Sequence, residues 1–123
     1  MPRPMLPQSR LSPDAESAMA AFHNKSVQEV QLAVEKDPVV IVGMSGNVFV
    51  TKARKALKQA GIEYTYLEYG SYVSQWKQRL AIKLWSGWPT FPQVFVRGVL
   101  IGGANDLIRG LQNGSVKTTA KQK

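Results

Sequence analysis

Apolar positions fall in two rhythms along this chain. Val39–Gly43 (VVIVG) is an unbroken run rich in β-branched residues, the length of a buried strand. Ahead of it, Val27, Val30, Gln31 and Val34 recur at helical spacing behind Ser26. That helix is expected to end at Asp37-Pro38, because a residue before proline is driven out of the helical region. After the strand, a Met-Ser-Gly-Asn loop leads into a helix expected over about residues 49–60. Val50, Ala53, Ala56, Leu57 and Ala60 form its apolar face, Lys52, Arg54, Lys55 and Lys58 line the other side, and Gly61 terminates it.

Residues 63–69 predict a second strand. Val73, Trp76, Leu80 and Leu84 mark a further helix, on which Trp76 and Trp85 are read as packing residues. Residues 92–96, the turn Arg97-Gly98 and residues 99–101 predict a β-hairpin. Residues 105–112 predict a closing helix stopped by Asn113-Gly114, and residues 14–23 a first helix capped by Ser12 or Asp14. A βαβ unit followed by a ββα unit implies an α/β fold: a four-stranded mixed sheet with helices on both faces.

The flanks differ from this core. Residues 1–13 hold Pro2, Pro4, Pro7 and Pro13, a density that opposes a helix. Arg3, Ser9, Arg10 and Ser12 give that stretch only a faint likeness to an organellar targeting segment. The reading is an extension over 1–25, a domain over 26–116 and a basic, flexible tail over 117–123. At 123 residues the chain has material for one core, and no stretch has the length and apolarity of a membrane-spanning helix.

Charge is unevenly placed. The chain carries a net +8, yet residues 1–37 are near neutral. The excess lies in the domain, with Lys52, Arg54, Lys55, Lys58, Lys77 and Lys83 prominent, and in Lys117, Lys121 and Lys123 of the tail. Such a field favours acidic proteins, RNA or anionic lipid. Lys52, Arg54, Lys55, Lys58, Lys77 and Lys83 are therefore the candidate face for an acidic partner or RNA, although no RNA-binding motif accompanies them.

The chain has no cysteine. This excludes disulfides, thiolate-held metals and clusters, and any cysteine nucleophile. The one histidine, His23, is read as a solvated helix residue, and no metal site is expected. No nucleophile–base pair stands out, and Ser45 has no visible base.

Residues 86–107 (SGWPTFPQVFVRGVLIGGANDL) resemble the signature of monothiol glutaredoxins, in which a Trp-Pro-Thr-aromatic-Pro-Gln run leads into a hairpin and a Gly-Gly-x-Asp turn. Residues 39–61 resemble the strand, active-site loop and first helix of the same family, and the likeness extends over about residues 26–116. It implies a thioredoxin/glutaredoxin-like fold with N- and C-terminal extensions. It places the family's active-site tetrapeptide on Asn47-Val48-Phe49-Val50, with Asn47 at the nucleophile and only Phe49 retained. A carboxamide forms no mixed disulfide and supplies no thiolate to a shared iron–sulfur cluster. The loop before this tetrapeptide has the length of the dithiol branch.

The resemblance also places a glutathione groove. The family lysine that pairs with a glutathione carboxylate falls on Met44, and the aspartate that meets the amino group falls on Asn105. Arg79 matches a basic residue that faces a carboxylate. Thr90-Phe91-Pro92 matches the segment whose proline is cis, and Gly102-Gly103 matches the turn after the hairpin. Met44, Asn47, Phe49, Arg79, Thr90, Pro92, Gly102, Gly103 and Asn105 thus outline a vestigial groove with two charges missing, so glutathione is not expected as a ligand. No cofactor and no catalytic residue are expected. The functional expectation is a non-catalytic accessory subunit of a large mitochondrial assembly, matrix-side, in a respiratory-chain complex or a mitoribosome. Its terminal extensions, residues 1–25 and 117–123, would contact neighbouring subunits or rRNA. The alternative is a free-standing glutathione-binding or RNA-contacting module without redox activity.

Overall fold

A computed structural model describes residues 4–116. The tail over 117–123 and the first three residues, including Pro2 and Arg3, lie outside the described residues. A short 3-10 turn, Gln8–Arg10, precedes helix α1 (Pro13–Ala21). Ser12 caps α1 by accepting a hydrogen bond from the Ala15 N–H at 3.1 Å, and Pro13 opens it. α1 buries none of its residues. It also stops before His23, which is half-buried in a left-handed conformation (φ 43°) with its ring edge-on to Phe22. His23 is therefore the break between two helices and not a helix residue. α2 (Asn24–Lys36) starts directly after it, so Ser26 lies within the first turn of α2.

Strand β1 (Val39–Gly43) is buried along its whole length. α3 (Val48–Gln59) follows and buries Val50, Ala53 and Leu57, the apolar face expected from spacing. β2 (Thr65–Glu68) is shorter than residues 63–69 suggested. α4 (Trp76–Ser86) leads to β3 (Gln93–Val96) and β4 (Val99–Gly102), joined at Arg97-Gly98, both with positive φ (51° and 80°). That conformation is the tight hairpin turn, which glycine takes without strain. α5 (Ala104–Asn113) closes the domain against left-handed Gly114.

The sheet order is β2-β1-β3-β4, with β1 and β2 parallel and the other pairs antiparallel. On one face, Leu57 of α3 and Leu107 of α5 pack against Val39, Ile41, Val94 and Val96. On the other, Val30 and Val34 of α2 and Ile82 of α4 pack against Val40, Val42 and Phe95. The sheet thus separates α3 and α5 from α2 and α4.

α4 reverses an expectation. Its buried residues are Arg79, Ala81 and Ile82, whereas Val73 precedes the helix and Trp76 and Leu84 are exposed. Ile82 lies two residues beyond Leu80, about 200° around the helix, so docking through Ile82 turns the Trp76–Leu80–Leu84 stripe outward. Trp76 is accordingly not a packing residue. Trp85 is partly exposed and lies tilted against Phe95, with ring centroids 5.9 Å apart.

Candidate functional site

The carboxyl ends of parallel strands β1 and β2 meet at one rim of the sheet, where Gly43 stands beside Glu68. Antiparallel pairing brings the start of β3 to the same rim, with Gln93 opposite Val42, and the end of β4 follows with Gly102 opposite Val94. The β1–α3 loop, the start of α3, the segment before β3 and the start of α5 therefore converge. Asn47, Phe49, Thr90, Pro92, Gly102, Gly103 and Asn105 all sit at this mouth. The Phe91–Pro92 peptide is cis, as the resemblance implied. Phe49, Thr90 and Asn105 are exposed, and Pro92 and Gly102 are buried. Gln93, wholly buried, donates from Nε2 to the Trp88 carbonyl at 3.0 Å and holds the Trp-Pro segment to the strand.

Asn47 is the N-cap of α3. Its Oδ1 accepts from the N–H groups of Phe49 (2.8 Å) and Val50 (3.1 Å). These are donors that a helix start otherwise leaves open to an anion. At the start of α5, the Asp106 carboxylate reaches back to accept from the N–H of the capping residue Gly103 at 2.9 Å and pairs with Arg109 at 3.2 Å. Asp106 is the residue after Asn105, so a carboxylate remains at this turn but is turned back onto the backbone. The spacing to Gly103 was visible in the sequence; its consequence was missed.

Two of the expected groove residues do not line the groove. Met44 is buried among Val30, Val42 and Tyr69 in the core beneath α2 and α4. Arg79 is buried too, and donates from Nη1 to the Tyr69 carbonyl (2.9 Å) and the Ser74 carbonyl (2.6 Å). Arg79 is therefore neither a solvated helix arginine nor an anion clasp at the rim. It pins the loop between β2 and α4, where Gly70 has φ 71° and a Cβ on it would lie 2.4 Å from the Ser74 carbonyl oxygen. The same loop is tied to the mouth by the Ser45 N–H donating to the Gly70 carbonyl at 2.7 Å.

The six candidate cations do not form one face. Lys52, Arg54, Lys55 and Lys58 ride on α3, and Lys77 and Lys83 ride on α4, across the sheet. Lys52 reaches Asn105, its Nζ 3.5 Å from Oδ1. Arg54 lies over the Tyr66 ring, 3.9 Å from its centroid, and donates to the Tyr64 hydroxyl at 3.2 Å, a bond that raises the guanidinium pKa further. It belongs to an aromatic cluster at the β2 edge more than to a phosphate-binding stripe. The carboxylates near the mouth are held as well: Tyr66 donates to Glu68 (2.9 Å) and Tyr69 to Glu29 (2.8 Å). Burial, then the bond to Glu68, pushes the Tyr66 hydroxyl up to about 12; burial, then Glu29, raises that of Tyr69 above the usual tyrosine range.

Residues 39–101 match the glutaredoxin family pattern. A "Glutaredoxin-like protein" of Dictyostelium discoideum is 46% identical over 102 residues, covering 83% of each chain. The chain belongs to the glutaredoxin family. Within that family it is also similar to a "Probable monothiol glutaredoxin 2" of Rickettsia prowazekii, 30% identical over 108 residues and covering 80% of this chain and 94% of the relative. Mutated buckwheat glutaredoxin superposes with a TM-score of 0.67 at 24% identity, over 76% of this chain and 84% of that one, which gives the fold. As a glutaredoxin-family chain without cysteine, it lacks the thiol on which disulfide exchange depends.

Among the described residues no group of three or more His, Asp or Glu side chains could hold a metal, and no helix is long and apolar enough to cross a membrane.

Proposed function

We propose that this glutaredoxin-family protein is non-enzymatic and serves as an accessory subunit of a large protein assembly. One observation carries the reading. At Asn47, where the resemblance places the family's nucleophile, stands a side chain that takes no part in thiol chemistry and whose oxygen is spent on the α3 backbone. Supporting it, two groups that the resemblance would give to a ligand are engaged within the chain: the Asp106 carboxylate holds the Gly103 N–H, and Arg79 is committed to two backbone carbonyls away from the groove. Glutathione would meet no free cation at Met44 or Arg79 and no free carboxylate at Asn105.

A scaffold role also accounts for α1, an ordered helix that contributes nothing to the core of its own chain. The arm over residues 1–25 and the tail over 117–123 would contact neighbouring subunits. The host assembly we favour is mitochondrial and matrix-side, a respiratory-chain complex or a mitoribosome, which suits the net +8.

The test has two parts. The purified protein is assayed for glutathione-dependent thiol transfer and titrated with glutathione in a calorimeter; background rate and no heat are expected. Native extracts are then fractionated by size. Co-migration with one large complex at constant stoichiometry supports the subunit role. A free monomer of 13.6 kDa removes it and brings forward a free-standing glutathione-binding or RNA-contacting module.

A further inference from the structure

α4 leaves its most apolar side uncovered. Trp76, Leu80 and Leu84 recur every four residues and so form one ridge along the helix, with Leu80 half-buried at its middle and Val73 exposed in the loop ahead of it. Val73 is 92% exposed, Leu84 63% and Trp76 57%, so neither the N-terminal arm nor any other described segment covers the ridge. The ridge is held in a fixed attitude. Ile82 anchors the opposite side of the helix in the core, and Arg79 pins the preceding loop.

Two lysines border it. Lys77 follows Trp76 and Lys83 precedes Leu84; at about 100° per residue they lie on opposite flanks of the ridge. Their ammonium groups rest near aromatic rings, Lys77 5.6 Å from the Trp76 centroid and Lys83 5.7 Å from that of Phe91. Among the described residues the one ion pair is Arg109–Asp106, so neither lysine meets a carboxylate there.

We propose that the outer face of α4 docks an amphipathic helix of a partner protein whose apolar side is bordered by carboxylates. The proposal rests on the accessory-subunit reading and names the surface and chemistry of one contact. An i, i+4, i+8 ridge matches the groove between side-chain rows of another helix. The flanking lysines select acidic borders on that helix. A second copy of the same face would bring lysines against lysines. Two cations also fall short of the roughly four to eight that mark an anionic-lipid surface, and exposed valine and leucine add nothing to phosphate binding.

The test uses the full chain and a display library of amphipathic helical peptides, with leucine fixed on the apolar side and the flanks randomised among Glu, Ser and Lys. Selection should enrich Glu on the flanks. Binding of the selected peptides should weaken about tenfold or more in Leu84→Glu and fall with rising salt. The double variant Lys77→Glu/Lys83→Glu should reverse the selection toward Lys. Leu84 and Lys77 are exposed and Lys83 is half-buried beside Phe91, and circular dichroism verifies that each variant is folded. The proposal is overturned by no enrichment, by binders indifferent to Leu84→Glu, or by flanks that ignore the charge reversal. It is equally overturned if wild-type protein, but not Leu84→Glu, sediments with phosphatidylserine vesicles or self-associates, which would assign the ridge to lipid or to a second copy. Thiol transfer is measured separately, so the non-enzymatic reading and this docking face can fail independently.

Discussion

The rim of the sheet around Asn47 and the outer face of α4 differ in how their polar and apolar groups are partnered. At the mouth, Asn47 and Asp106 hold backbone N–H groups at the starts of α3 and α5, and Arg79 ties the 70–75 loop behind it, while the buried Trp88 Nε1 and Gln93 Oε1 have no hydrogen-bond partner among the described residues. On α4, large apolar side chains stand in solvent between two lysines with no carboxylate beside them. A polar site is closed by supplying hydrogen bonds internally, because a buried donor or acceptor without a partner is costly. An apolar face is closed only by covering it, and here nothing in the described chain does so.

The largest break in that contrast should come from Arg79. Arg79→Met removes two charge-assisted bonds and leaves the Tyr69 and Ser74 carbonyls short of partners, and should cost about 3 kcal/mol in urea unfolding. Little change in stability would mean that Arg79 is a free surface group after all. Asn47→Ala should cost about 1 kcal/mol, as loss of an N-cap does. Asp106→Ala should cost slightly less, about 0.5–1 kcal/mol, because one backbone donor and one exposed ion pair are lost.

A pH-dependent contribution sharpens the same comparison. Tyr66 ionises at about 12 in the folded chain, against an ordinary value of 10.0. Its folded pKa lies above the unfolded one, so its contribution is fully present below about pH 10 and is lost as pH rises toward 12. Stability measured across that window should fall, and should fall less in Tyr66→Phe; an equal fall in both would remove Tyr66 as the cause. The smallest effect is expected at Leu84→Glu, which should change stability by no more than about 0.5 kcal/mol, as exposed positions generally do. A larger loss would show that the ridge already packs within the chain.

Much of the architecture was legible because it depends on local rules. The VVIVG run, the Val50–Ala53–Leu57 spacing, Arg97-Gly98 and Asn113-Gly114 each imposed their own element. The groove was less legible. Family likeness alone placed Met44 and Arg79 in the groove by their position in the chain, but burial depends on where neighbouring loops fold back. The 70–75 loop covers the Arg79 guanidinium, and α2 with Tyr69 covers Met44.

α4 shows the division most clearly. Its sequence contains two candidate stripes, Trp76–Leu80–Leu84 and one centred on Ile82, and periodicity alone favours the larger, outer one. By itself the sequence determined that this chain forms an α/β domain, which its likeness over residues 39–61 and 86–107 marks as glutaredoxin-type, that it has no thiol, and that Asn47 can cap a helix; the element order, the missing thiol and the cap follow from composition and contacts a few residues apart. Only the tertiary structure decided which stripe of α4 faces the core, that six cations divide between two faces of a sheet, and that Arg79 turns inward. Those outcomes depend on contacts between segments distant in sequence, whose relative orientation no local periodicity specifies.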